Sequence, residues 1–195
     1  MSDRHTFRAD WHHYNSGVFF VTICANHMEH IFGNIINNQM HFSAAGKIVK
    51  ECVCDIPNHH KNVTVGNYVV MPNHVHIVLS VGAQYFAPAT TMPKSNKMMG
   101  CIKPPRHGEP RSENHFHSRL SVVVRSFKAA CSIEINKNRR AQNISPIQVW
   151  QRNYHEHIIH HHEEFDKIMN YVSLNVVNWN RDCFNKDRNA TIGSG

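Results

Sequence analysis

The stretch "NVTVGNYVVMPNHVHIVLS", residues 62–80, constrains the fold more than any other part of the chain. It holds two runs rich in β-branched residues, separated by a Met-Pro-Asn sequence typical of a turn, and so predicts two neighbouring strands. On the second strand His74 and His76 lie on one face, because alternate side chains of a strand share a face. Two neighbouring imidazoles are an unusual choice for packing alone, so the pair predicts a functional site.

Strand-like and helix-like segments are interspersed along the rest of the chain. Strands are predicted over 17–26 and, around an Asn37-Asn38 turn, over 30–43, and residues 149–159 are predicted to be extended or irregular. Helices are predicted over 43–57, 119–136 and 162–179, with Ser43 and Ser118 as N-caps and Pro57 marking the end of the first. This order predicts an α+β fold, in which helices pack on an antiparallel sheet.

The length of 195 residues predicts one domain, over residues 1–184. Residues 81–118, rich in proline, glycine and basic side chains, are predicted to be a long irregular insertion, and residues 185–195 a flexible tail. The polar start is unlike a signal peptide, and no apolar run approaches the ~18 residues of a membrane span. The expectation is therefore a cytoplasmic protein with no membrane segment, whose six scattered cysteines are reduced thiols.

The charge balance is basic, with 21 Lys+Arg against 14 Asp+Glu and 18 histidines besides. A basic excess fits a polyanionic partner such as nucleic acid, but many ordinary proteins carry one. Charge alone therefore does not decide between these two interpretations.

The last predicted helix carries an apolar stripe at helical spacing. The stripe comprises Phe165, Ile168, Met169, Val172, Val176 and Trp179. Tyr171 and Asn175 lie off its centre, four positions apart, and so project from one side of the helix. They could hold a reactive hydroxyl and an amide beside a ligand, or they could be a boundary tyrosine and a solvated asparagine. Two imidazoles on one strand face suit a divalent metal, but an H-x-H pair alone is weak evidence.

Four segments together resemble a known family. "VVMPNHVHIVL" resembles the HUH motif (His, bulky apolar, His) of the single-tyrosine transposases, and is closest to the REP-associated tyrosine transposase group. "VWQRNYHEHII" followed by "YVSLN" matches the second signature of that group, and "GVFFVTICANHMEHIFG" resembles its first strand and hairpin. The similarity covers roughly residues 11–182. It implies a ferredoxin-like HUH endonuclease core.

The resemblance assigns roles to four residues. His74 and His76 match the metal-binding pair, Tyr171 matches the nucleophile, and Asn175 matches the helix position that completes the metal shell. The implied cofactor is a divalent metal, Mg²⁺ or Mn²⁺. The chain departs from the family at Val176, where proline is usual, and at position 155, where histidine replaces an aromatic residue.

The implied activity is metal-dependent nicking and rejoining of single-stranded DNA, on a hairpin or repeat, through a 5′-phosphotyrosine. A single tyrosine per chain gives one nick per active site, so coordinated excision would favour a homodimer. Two alternatives stay open at this point. One is a domesticated protein that binds a DNA hairpin without cutting it. The other is a metal hydrolase that uses the two histidines with Glu156 or a histidine near position 160.

Six further residues are candidate DNA contacts. Arg125, Lys128 and Arg152 would bind phosphates, with solvated surface charge as the alternative. Trp150 and Tyr154 would stack on bases, with core packing as the alternative. Tyr154 could also be the nucleophile, but its segment favours packing or stacking. His157 is included because the family tends to carry "EHII" there, whereas the histidines that follow it predict a solvated helix start.

Overall fold

The computed structural model describes residues 16–82 and 118–185. The strands are β1 (Gly17–Cys24), β2 (Gly33–Ile36), β3 (Gln39–Phe42), β4 (Val63–Val70), β5 (His74–Val81) and β6 (His155–Ile159). The helices are α1 (Ala44–His59), α2 (Arg119–Ala141) and α3 (His162–Leu174), with short 3-10 turns at Asn26–Met28 and Trp179–Arg181. Nearly all of the predicted 81–118 insertion and 185–195 tail lies outside the described residues.

Four strands form one antiparallel sheet in the order β4-β5-β1-β6. β2 and β3 form a separate hairpin, whose turn residues Asn37 and Asn38 have φ of 51° and 59°. Asparagine tolerates this left-handed conformation better than most residues, which is why the sequence marks the turn. The predicted α+β class with helices packed on an antiparallel sheet is confirmed.

The sheet has an apolar layer on each face, and the helices divide between them. The first layer joins α1 and α2 to the sheet residues Phe19, Val21, Ile23, Val75, Ile77 and Leu79. The second joins Phe165, Ile168 and Val172 of α3 to Val18, Phe20 and Val78. His74 and His76 alternate with the β5 residues of the first layer, so they face the side on which α3 packs.

The predicted N-caps are confirmed. Ser43 Oγ accepts the backbone N–H of Gly46 at 3.0 Å, and Ser118 Oγ accepts that of Ser121 at 3.2 Å. The sequence predicts that Pro57 ends α1, but the helix continues to His59. Proline so near the end removes only one backbone hydrogen bond, and the His60 N–H still bonds to the Ile56 carbonyl. None of the helices in the described ranges is long and apolar enough to cross a membrane.

The predicted helix over 162–179 is too long. α3 ends at Leu174, Asn175 is its C-cap, and the chain then turns before the 3-10 segment at 179–181. The apolar residues after the helix end keep helical spacing, which is why the pattern extends the prediction. Trp179 is buried as predicted, but on the turn after α3 and not on the helix itself.

The cysteines divide into two groups. Cys24, Cys52, Cys54 and Cys131 are free thiols, as expected. Cys183 is disulfide-bonded. The expectation of reduced thiols is therefore wrong for Cys183.

Candidate metal centre and active site

His74 and His76 lie at the start of β5 and are fully buried, with 0% and 1% of their surface exposed. Their Nε2 atoms are 3.1 Å apart. Two nitrogen ligands at about 2.1 Å from one ion and at right angles to each other would lie about 3 Å apart. The pair is thus spaced as neighbouring ligands of a single metal ion.

The ring of His74 is oriented by the residue before it. Asn73 Nδ2 donates to the carbonyl oxygen of Phe184 at 2.8 Å, which directs Oδ1 to His74 Nδ1, also at 2.8 Å. An amide oxygen only accepts hydrogen bonds, so His74 Nδ1 carries the proton and Nε2 keeps its lone pair. This is the tautomer that a metal site requires. The sequence marks Asn73 as a turn residue but does not show this role.

His76 is oriented by Thr22, its direct partner in the β1–β5 register. Thr22 Oγ1 lies 2.8 Å from His76 Nδ1. A hydroxyl can accept from Nδ1, and Nε2 then presents its lone pair toward His74. Both rings are therefore held by hydrogen bonds on the side away from the candidate ion.

Both imidazoles are neutral at physiological pH. Burial lowers the pKa of His76 to about 3, with His155 adding to the effect. Burial also holds the pKa of His74 well below its ordinary value, with His76 and His30 contributing. Neutral imidazole is the form that binds a metal.

These pKa shifts predict how stability depends on pH when metal is chelated. Between the ordinary pKa of 6.5 and about 3, His76 is neutral in the folded protein and protonated in the unfolded chain. The free energy of unfolding is therefore highest above pH 6.5. Below pH 6.5 it falls by about 1.4 kcal/mol per pH unit for each such histidine. Urea unfolding in EDTA at pH 7.5 and 5.0 would measure the loss. Between pH 7.5 and 5.0, the free energy of unfolding should fall by about 2 kcal/mol less in His76→Gln than in the wild-type protein.

The matched control for that measurement is His41→Gln, on the exposed side of the β2–β3 hairpin. It should leave the pH-dependent loss of the wild-type protein unchanged. Equal pH dependence in wild type and His76→Gln would contradict a neutral buried imidazole at position 76.

Asp182 is a third candidate ligand, which the sequence does not reveal. It follows the 3-10 turn, is buried, and places Oδ2 3.9 Å from His74 Nε2. Its Oδ1 accepts the backbone N–H of Phe184 at 2.8 Å, which orients the carboxylate. Ligand atoms of His74, His76 and Asp182 all lie within 4.8 Å of one another. These three side chains could hold a metal ion.

Asn175, the predicted third ligand, is only 3% exposed. Its Oδ1 has no hydrogen-bond partner among the described residues. Leaving a buried polar atom unsatisfied costs about 1–3 kcal/mol, so such an atom calls for an explanation. Amide oxygens are ligands that Mg²⁺ and Mn²⁺ accept. The residues present therefore fit a divalent metal.

Tyr171 lies beside the histidine pair. Its hydroxyl is 3.5 Å from His76 Nε2, and its ring meets Phe20 edge-on with centroids 6.0 Å apart. The pKa of Tyr171 is raised to about 12, chiefly by burial and also by the Asp182 carboxylate, while a hydrogen bond from Asn175 opposes the rise. The metal-free protein therefore holds a protonated phenol at this position.

Two aromatic side chains cover the histidines. Phe184 lies over His74 with ring centroids 4.6 Å apart, and Trp179 lies 6.2 Å from the same ring. Both belong to the segment after α3, which also supplies Asp182. Because these rings are buried, they limit the access of water to the candidate ligands.

Trp150 is not placed to stack on a base. It is 4% exposed and packs between Phe32 and Phe127, with ring centroids 5.0 and 5.8 Å away. Its indole Nε1 donates to the carbonyl oxygen of Lys128 at 3.2 Å. This packing favours the alternative interpretation, in which Trp150 belongs to the core.

Two of the three basic candidates, Arg125 and Lys128, lie on α2, on the sheet face opposite Tyr171. Lys128 Nζ donates to the backbone carbonyls of Gln151 and Arg152 at 2.6 and 3.1 Å, so it fixes the segment before β6. Arg125 and Arg152 are exposed, but α2, which carries Arg125, packs on the sheet face opposite Tyr171. A DNA strand whose phosphate lies at the candidate site would therefore contact Arg125 only if the DNA reached around to the opposite face of the sheet.

Of the candidates around β6, Tyr154 and Glu156 face away from the histidine pair, whereas His157 lies opposite Phe20 on the face of His76. Tyr154 is half-buried and packs against the layer under α1 and α2. His157 Nε2 pairs with Glu164 Oε1 at 2.7 Å, at the start of α3. Glu156 lies opposite Val21 in the register and so points to the face away from His76.

Comparisons with known proteins bear on the family and the fold of the chain. No family model matches the chain. An uncharacterized protein of Haemophilus influenzae is 31% identical over 180 residues, which cover 92% of this chain and 91% of that protein. The solved structure of a REP-associated tyrosine transposase bound to a REP hairpin has a TM-score of 0.51 at 13% identity, covering 92% of this chain and 74% of that one. The chain therefore belongs to the same family as the Haemophilus influenzae protein, and it has the transposase-like HUH fold.

Proposed function

We propose that this protein nicks and rejoins single-stranded DNA through a 5′-phosphotyrosine on Tyr171, with Mg²⁺ or Mn²⁺ held by His74 and His76. The observation that carries the proposal is the position of the Tyr171 hydroxyl, 3.5 Å from His76 Nε2 in a buried site. A nucleophile and a pair of oriented metal ligands are the two parts that a metal-dependent transesterification needs.

The metal would be held by His74 and His76, with Asp182 and Asn175 as the oxygen ligands. A bound divalent ion would act as a Lewis acid toward a non-bridging phosphate oxygen and favour the phenolate form of Tyr171. The protein orients both imidazoles through Asn73 and Thr22.

The transfer conserves the phosphodiester bond energy. The Tyr171 oxygen forms a bond to phosphorus while the bond from phosphorus to the 3′ oxygen breaks. The phenol loses its proton and the leaving strand gains one as a free 3′-OH. Because a phosphodiester is exchanged for another, attack by a 3′-OH on the phosphotyrosine can reseal the strand.

The substrate we propose is a DNA hairpin or repeat, since the solved transposase with this fold was bound to a REP hairpin. Hairpin binding without cleavage is the second candidate function, and the same likeness supports it. The presence of His74, His76, Tyr171 and Asn175 together favours cleavage. Coordinated excision at two ends would take two copies of the chain, each with one tyrosine.

The direct test incubates the protein with a library of single-stranded hairpins and Mn²⁺, then recovers DNA that stays attached after denaturation. A covalent adduct that requires the metal is expected. Hairpins that bind with high affinity but never become covalently attached would instead support the second candidate function, in which the protein binds DNA hairpins and does not cleave them.

DNA affinity should fall steeply with salt, because Lys and Arg contacts to phosphate release counterions. The basic residues in question lie between Lys94 and Arg111, outside the described residues, and between Arg119 and Arg140 on α2. A footprint of ~5 phosphates would lower the affinity several-hundredfold between ~50 and ~200 mM salt. Fluorescence anisotropy with a labelled hairpin measures the slope, and a flat profile would contradict a phosphate-dominated contact.

A further inference from the structure

Strand β4 contains a bulge opposite the middle of β5. Val65 pairs with Leu79 and Tyr68 with Ile77, so β4 advances three residues while β5 advances two. The extra residue lets Val65 and Tyr68 both face the layer under α1 and α2. Asn67, within the bulge, is thereby free to reach α3 on the opposite face.

Asn67 binds α3 at two points. Its Nδ2 donates to Ser173 Oγ at 2.9 Å and to the carbonyl oxygen of Met169 at 3.2 Å. Ser173 Oγ in turn donates to the Met169 carbonyl at 2.9 Å. One amide group from the sheet therefore holds two groups that lie one turn apart on α3.

These contacts lie on the opposite flank of α3 from Tyr171. At about 100° per residue, Met169 and Ser173 lie about 60° and 100° to one side of the buried Val172. Tyr171 and Asn175 lie about 100° and 60° to the other side. Packing of the apolar stripe fixes the distance between α3 and the sheet. It still permits a small rotation of α3 about its own axis. A polar contact on one flank opposes that rotation.

We infer that Asn67 is a positioning residue for Tyr171: by fixing the rotation of α3, it sets the distance between the phenol and the metal-ligand pair. This inference rests on the proposed function of Tyr171. A group at least about 6 Å from the axis moves by about 1 Å when the helix rotates by about 10°. A displacement of 1 Å at a reacting atom can cost about a hundredfold in rate.

The first experiment compares Asn67→Ala with Thr64→Ala, an exposed position on the same strand. Asn67→Ala should slow adduct formation by about 10- to 100-fold. The hairpin dissociation constant should stay within about twofold of wild type, measured well below the unfolding temperature. The loss of Mn²⁺ affinity should not exceed that of Asn175→Ala, because the same rotation also moves Asn175. Thr64→Ala should change none of these quantities. Ser173→Ala, which keeps the acceptor at Met169, should give a smaller loss of rate.

The second experiment reads the position of Tyr171 without metal or DNA. The chain has five tyrosines, and 3-fluorotyrosine labelling with Tyr171→Phe identifies the fluorine signal of Tyr171. Since this ring lies beside Phe20 and His76, its chemical shift should change in Asn67→Ala and not in Thr64→Ala.

The outcomes separate the two proposals. An Asn67→Ala rate equal to wild type overturns the positioning role and leaves the proposed function intact. A wild-type protein that forms no adduct overturns the proposed function, and the fluorine spectrum then decides alone whether Asn67 positions Tyr171. An unchanged Tyr171 signal in Asn67→Ala overturns the inference in either case.

Discussion

Tyr171→Phe should form no covalent adduct with DNA at any metal concentration, a loss of at least about 10³-fold. The substitution removes the oxygen that bonds to phosphorus and keeps the ring that meets Phe20 edge-on. Folding, metal affinity and hairpin affinity should therefore stay close to wild type. Denaturing gel electrophoresis with a labelled hairpin and Mn²⁺ measures the adduct, and anisotropy measures the binding.

Tyr154→Phe is the matched control, because this tyrosine is half-buried against the other face of the sheet. It should form the adduct at the wild-type rate. Mass spectrometry of the trapped complex identifies the attached peptide. A nucleotide on the peptide that contains Tyr154, with none on Tyr171, would overturn the assignment of the nucleophile.

The features that the sequence predicts correctly depend on residues close together in the chain. The two strands around the 71–73 turn, the Asn37-Asn38 hairpin and the two serine caps are examples. The shared face of His74 and His76 follows from the two-residue repeat of a strand. The shared side of Tyr171 and Asn175 follows from the helical repeat, even though Asn175 proves to be the C-cap.

The contacts that the sequence does not predict cross large separations. Asn73 bonds to a carbonyl 111 positions away, and Asn67 to a serine 106 positions away. Asp182 becomes a candidate ligand only because α3 ends at Leu174, although apolar residues continue at helical spacing beyond it. The chain then turns back over the histidines, and no local sequence pattern predicts this turn.

The sequence also does not distinguish an aromatic ring that is buried in the core from an exposed ring that stacks on a DNA base. A tryptophan such as Trp150 suits both a core position and a base-stacking position. Its burial depends on Phe32 and Phe127, which are not its neighbours in the chain. The same ambiguity affects lysine: Lys128 has the charge for a phosphate but uses it to bond to two backbone carbonyls.

The second large effect concerns the metal. His74→Ala and His76→Ala should each lower Mn²⁺ affinity by more than about 100-fold and abolish cleavage, since each removes one of two nitrogen ligands. Isothermal titration with Mn²⁺ measures the affinity, and circular dichroism shows whether the variant is folded. Wild-type Mn²⁺ affinity in either variant would contradict the metal assignment.

Asp182→Asn and Asn175→Ala separate the two candidate oxygen ligands. Asp182→Asn keeps the shape of the side chain but removes its negative charge, so it should weaken Mn²⁺ binding by at least about tenfold. Asn175→Ala removes a neutral oxygen and should weaken binding less, leaving Tyr171 able to form the adduct at high Mn²⁺. The control is Asp166→Asn, which removes an equal charge from α3 beside His162 and not beside the histidine pair.

The ranking of these variants identifies how the site is built. If Asp182 is a ligand, its variant should lose Mn²⁺ affinity by titration while Asp166→Asn retains it. Equal affinities for Asp182→Asn and Asp166→Asn would exclude Asp182 and leave Asn175 with the histidine pair, as the resemblance implies. In that case the carboxylate beside His74 would serve to orient the segment that covers the site, through its bond to the Phe184 backbone. Loss of affinity in both the Asp182 and Asn175 variants would establish a site with two nitrogen and two oxygen ligands.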